Sequence, residues 1–139
     1  MTKTGFDIAL GEYGIKEISG KQDNPEVLKY FDEIGFDGAE LKDETAWCSA
    51  FLNYCCKKAN EPYTGKLNAR SWLKIGKEVH NPIPGDKVVF WRGSPDSWKG
   101  HVAYYISELN GWTYVLGGNQ SNQVKISAYP TSRVLSYRR

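Results

Sequence analysis

The hydrophobic positions of this chain change period part-way along. Up to about residue 76 they recur at three- and four-residue spacing, the repeat of amphipathic helices. The first such segment, Thr4 to Tyr13, carries Phe6, Ile8, Ala9, Leu10 and Tyr13, and Gly14 stops it. Asn24-Pro25-Glu26 is a helix start, with a capping Asn, Pro at the first helical position and an acid in the first turn. That helix is predicted to run to about Ile34, with Gly35 after it and a loop to Lys42. From about Glu44 to Lys58 lies the longest predicted helix: Phe51, Leu52, Cys55 and Ala59 keep the helical spacing, and Lys57 and Lys58 complement the dipole at its end. A short helix, Ala69 to Ile75, closes at Gly76.

Asn81-Pro82-Ile83-Pro84-Gly85-Asp86 is a turn, with Asp86 starting the strand after it. Past it the pattern is that of β-strands: Lys87 to Trp91, His101 to Ile106, Trp112 to Leu116, Val124 to Tyr129 and a last short one, Arg133 to Tyr137. Asn110-Gly111 is a strong hairpin signal. Helices followed by an antiparallel meander predict an α+β fold. With 139 residues and no repeat or linker, one domain spanning 1–139 is expected.

Composition narrows the function less than the pattern narrows the fold. The net charge of +2 is spread without a basic stripe, which argues against a nucleic-acid partner. The start MTKTGFDIALGEYG has no apolar signal-peptide core, and no apolar run reaches transmembrane length. The expectation is a soluble chain made in the cytosol without membrane insertion, which needs another route out if it acts outside. The 14% aromatic content fits either a β-rich core or a groove for sugar or peptide.

All three cysteines fall in DETAWCSAFLNYCC, from Asp43 to Cys56. Cys48 and Cys55 are about two helical turns apart, too far for a disulfide, and the two histidines show no zinc-ligand spacing. Cys48 lies in the first turn of the predicted long helix, where free amide hydrogens and the helix dipole favour a thiolate. Cys55 and Cys56 sit further along and read as packing residues. His101 opens a strand and can face a groove as general base; His80 sits in a turn with less rigid support. A third polar group usually orients such an imidazole, and GGNQSN, Gly117 to Asn122, offers Asn119 and Gln120. Asp43 and Glu44 read first as helix-end acids, and Trp47 either packs or stacks on substrate.

In their order along the chain, WCSAF, PGD leading into VVFW, GHVAYY and VLGGNQS resemble the CHAP family, the cysteine, histidine-dependent amidohydrolases/peptidases. The closest resemblance is to a subgroup in phage endolysins and related bacterial hydrolases that reads D-E-T-x-W-C-x-A-F and G-G-N-Q-S-N. It extends from about Gly11 to Val124 and is strongest between Asp43 and Asn122. The resemblance implies a papain-like fold and hydrolysis of an amide in bacterial peptidoglycan. It implies Cys48 as nucleophile, His101 as base and Asn119 as orienting residue. Many members carry an acid two residues before that asparagine; Gly117 stands there in this chain. The third member is therefore left open among Asn119, Gln120 and an acid such as Glu44. Trp47, Trp72, Trp91 and Trp98 are candidate groove walls, Trp47 and Trp98 foremost.

No metal or other cofactor is required by this scheme, and a monomer is expected. Release through a phage holin fits an endolysin, while a partner immunity protein fits an antibacterial effector. Two further readings are a cysteine hydrolase acting on another amide substrate and a non-catalytic wall-binding module.

Overall fold

The change of period near residue 80 divides the molecule into a helical layer and a sheet. The structure, a computed structural model, describes residues 3–16, 25–35 and 47–139. The predicted cap Asn24, the 36–42 loop and the acids Asp43 and Glu44 lie outside the described residues. Helix α1, Gly5–Gly11, starts with a capping box: Asp7 N–H donates to Thr4 Oγ1 at 3.1 Å and Thr4 N–H to Asp7 Oδ2 at 3.0 Å. Helix α2 spans Pro25–Asp32 and buries Val27, Tyr30 and Phe31. Helix α3, Cys48–Lys58, starts four residues later than its pattern predicts, because Trp47 is already non-helical. A 3-10 turn, Ala69–Lys74, stands where a short helix is predicted.

The strands are β1 (Glu78–Val79), β2 (Lys87–Trp91), β3 (Gly100–Leu109), β4 (Trp112–Gln120), β5 (Gln123–Pro130) and β6 (Val134–Arg138). They form one antiparallel sheet in the order β1-β6-β2-β3-β4-β5. The predicted α+β class holds. Asn110 and Gly111 both have positive φ, as a tight β3–β4 hairpin requires. Ser121 and Asn122 do the same between β4 and β5.

Alternation along the strands separates two cores. Val89, Val102, Tyr104, Leu116 and Val124 pack with Phe51, Leu52 and Cys55 of α3. Val88, Phe90, Ala103 and Val115 point the other way, with Tyr129 and Tyr137 against them. Both faces of β3 are therefore buried, and its first residues are held rigidly at the end of the sheet nearest the start of α3. No helix among the described residues is long and apolar enough to cross a membrane.

Candidate active site

Cys48 is the first residue of α3. Its N–H has no acceptor within the helix, and the preceding Trp47 supplies no side-chain cap. The thiol lies close enough to the His101 side chain and to the backbone amides of Val102 and Ser49 for each of them to favour its charged form. Burial pushes this thiol up, yet the neighbouring His101 and the two amides outweigh burial and leave it below its ordinary value. His101 responds in the opposite sense. Burial pulls its imidazole down, but the Cys48 thiolate, and then the bond to Gln120, hold it above the usual range. Each group thus favours the charged form of the other.

Gln120 fixes the ring. His101 Nε2 lies 2.9 Å from Gln120 Oε1, and Gln120 Nε2 donates to the carbonyls of Lys125 at 2.6 Å and Val115 at 3.4 Å. Those two carbonyls accept only from the amide nitrogen, so Oε1 must face the imidazole. An amide oxygen only accepts, so Nε2 carries a proton and Nδ1 is the nitrogen left for the thiol. Gln120 is 1% exposed, Cys48 3% and His101 8%, so little water competes for these bonds.

Asn119 best matches the orienting position implied by the family resemblance, but the contact to His101 belongs to its neighbour. The reason is a β-bulge. Gly117 pairs with Lys125 and Gln120 with Gln123, so Gly118 and Asn119 together oppose one residue. Strict alternation would put Asn119 on the face of Gly117. The extra residue moves that parity by one and brings Gln120 there instead. Asn119 absorbs the bulge with φ +57, a conformation asparagine tolerates. A Cβ on Gly117 would lie 2.7 Å from Ala103 Cβ and 3.2 Å from Gln120 Oε1, so glycine leaves room for the amide. A Cβ on Gly118 would lie 2.8 Å from both Phe51 Cβ and Trp47 Cζ3, where β4 crosses the start of α3.

Trp47 also needs correction. It is 1% exposed and stacks on Tyr30 at 5.9 Å between ring centroids, so it is core and does not line a groove. Trp72 is likewise buried, its Nε1–H donating to Ser49 Oγ at 2.9 Å. Trp98 is 74% exposed on the loop before β3 and keeps its candidacy as a groove wall. That loop is strapped by Arg70, which donates to the carbonyls of Lys99, Pro95 and Ser94 at 2.7, 2.8 and 3.0 Å. Glu44 lies outside the described residues. His80 is exposed beside Asn81, Pro82, Tyr105 and Tyr137, away from the thiol.

Two residues enter the site that the hydrophobic pattern does not single out. Tyr129 packs its ring 5.1 Å from His101 and 5.0 Å from Phe90, and burial with the nearby Cys48 charge raises its hydroxyl pKa to about 12. Arg92, just past β2, places a charge near enough to oppose protonation of His101. Register could have located Tyr129 in part, since β5 returns alongside β4; nothing in the local sequence marks Arg92.

Cys55 and Cys56 are buried free thiols, both pushed up by burial, with Cys56 Sγ 3.4 Å from Tyr104 Oη. They behave as the packing residues their position predicts. Comparison of the chain with protein-family models and with curated proteins finds no match.

Proposed function

We propose that this protein is a cysteine amidohydrolase that cuts an amide bond in the peptide stem or cross-bridge of bacterial peptidoglycan. The observation that carries the chemistry is the juxtaposition of Cys48, His101 and Gln120, with the thiol at a helix start beside the imidazole and the imidazole tautomer fixed from behind by Gln120. The wall substrate is supported by the resemblance of WCSAF, GHVAYY and GGNQSN to the CHAP family. The same resemblance supports a phage endolysin that reaches the wall after release from the cell.

In this mechanism the Cys48 thiolate adds to the amide carbonyl carbon. The developing oxyanion takes a hydrogen bond from the Cys48 N–H, which has no helical acceptor. The His101 imidazolium gives its Nδ1 proton to the leaving nitrogen, the C–N bond breaks, and a thioester remains. Neutral His101 then takes a proton from water as the water oxygen attacks the thioester. The C–S bond breaks, and the thiolate–imidazolium pair is restored. Throughout, Gln120 keeps Nε2–H engaged so that Nδ1 faces the reaction.

The test is digestion of purified peptidoglycan by the wild-type chain and a Cys48→Ala variant, with mass analysis of the soluble products. The wild type is expected to create one new amino terminus per cut, and the variant to lose at least about a thousandfold in rate. An unchanged rate in the variant removes Cys48 as nucleophile. Products without a new amine remove the amide assignment.

A further inference from the structure

Beside α3 the chain forms a second concave region that the chemistry above does not use. It is a cleft of about 500 Å³ that includes Tyr63, Lys66, Arg70 and Lys74 in its lining, and among the described residues no acidic side chain lines it. Among the described residues, the Lys66 and Lys74 ammonium groups have no ion-pair partner. Arg70 spends its hydrogen bonds on three neutral carbonyls, which leave its charge uncompensated. Three like charges around one concavity repel one another and focus a positive potential into it.

The cleft is tied to both reacting residues. The Lys66 carbonyl accepts from Ser49 Oγ at 2.7 Å and from Asn53 Nδ2 at 2.9 Å. Asn53 Oδ1 in turn accepts from the N–H groups of Thr64 and Gly65, both at 3.0 Å. Ser49 follows the nucleophile directly, so one wall hangs on the first turns of α3. The opposite anchor, Arg70, holds the loop that leads into Gly100 and His101. A ligand in the cleft is therefore held at a fixed offset from the thiolate.

We propose that this cleft is a subsite for a carboxylate-bearing part of the peptide substrate, a reading that rests on the proposed function for the peptide and on the cleft itself for the charge. Lys66 and Lys74 make the direct contacts, because their donors are free. Arg70 supplies background potential, and the exposed face of Tyr63 flanks the apolar part of the residue.

The experiment uses the full chain carrying Cys48→Ala, so that nothing turns over. A fluorescently labelled glutamyl peptide with its carboxylate free, and the same peptide with that carboxylate amidated, are titrated by anisotropy. The free acid is expected to bind about fivefold more tightly at low salt, a preference that added salt erodes. Lys66→Gln with Lys74→Gln abolishes the preference, while Lys3→Gln with Lys77→Gln, an equal loss of charge elsewhere, preserves it. Equal affinity for the two peptides overturns the proposal, as does a preference that survives Lys66→Gln with Lys74→Gln. A preference that behaves as expected in a chain whose Cys48 form cuts no peptidoglycan sinks the hydrolase reading and leaves the anion subsite standing. Normal cutting without any preference sinks the subsite alone.

Discussion

Replacing Gln120 with leucine isolates the orienting bond. The substitution keeps the volume about constant and removes both the acceptor at His101 Nε2 and the donor to the Lys125 and Val115 carbonyls. A hydrogen bond to a charged group contributes about 1.5–3 kcal/mol, so kcat/KM should fall by about ten- to a hundredfold. Nε2–H is left buried without a partner, which should also lower unfolding free energy by about 1–3 kcal/mol. The pH profile carries the sharper signature. Gln120 favours the imidazolium, so its loss lowers the His101 pKa and moves the alkaline limb of activity to lower pH. A less protonated His101 stabilises the thiolate less, so the acid limb moves up and the bell narrows from both sides. Rates on a soluble peptide substrate across pH, with thiolate absorbance followed in parallel, measure both limbs. Asn119→Gly, which suits the left-handed backbone, should leave both limbs in place. A Gln120→Leu chain with unmoved limbs and wild-type kcat/KM, or an equal loss in Asn119→Gly, would refute the assignment.

The cysteines should separate by reactivity. Iodoacetamide at neutral pH is expected to label Cys48 first, with Cys55 and Cys56 reacting only on unfolding, since burial holds those two thiols in the neutral form; peptide mapping reads the order. Gly118→Ala drives a methyl into Trp47 and Phe51 at the start of α3, so it should cost about 1–3 kcal/mol in denaturant unfolding and lower activity along with it. Asp86 accepts two bonds from Arg139, both at 2.8 Å; burial raises its carboxyl but Arg139 outweighs burial and leaves it low. A depressed folded pKa contributes stability above the unfolded value and loses it as pH falls, so the wild type should weaken between about pH 5 and 3 more steeply than Asp86→Asn, as urea midpoints would show.

The helices and the meander were legible because each has a clean period bounded by glycine, proline or Asn-Gly. β1 was not, since Glu78–Val79 is too short to show alternation and exists only by pairing with β6. Helix and strand positions nominate Cys48 and His101 as candidates, but position alone favours packing for Cys48, and only His101 and GGNQSN in family order reverse that preference. Choosing between Asn119 and Gln120 required the bulge, a property of pairing with β5 that alternation along β4 does not contain. The glycines and the asparagine of GGNQSN were its only trace. Trp47 misled because its neighbour is the proposed nucleophile; on a helix start, adjacent side chains diverge, and this one turns inward to Tyr30.

The sheet order has a consequence for how the protein comes into being. β6 follows every other strand in the chain yet lies inside the sheet, between β1 and β2. As the polypeptide leaves the ribosome, β2 to β5 pair with neighbours already made, while the far edge of β2 waits for residues 134–138. Phe90 of β2 pairs with His101 on one side and Val134 on the other, so the support beneath the imidazole is completed only after the thiol and the imidazole have long been translated. Emergence of that strand sets a delay between making Cys48 and His101 and completing the sheet that supports them.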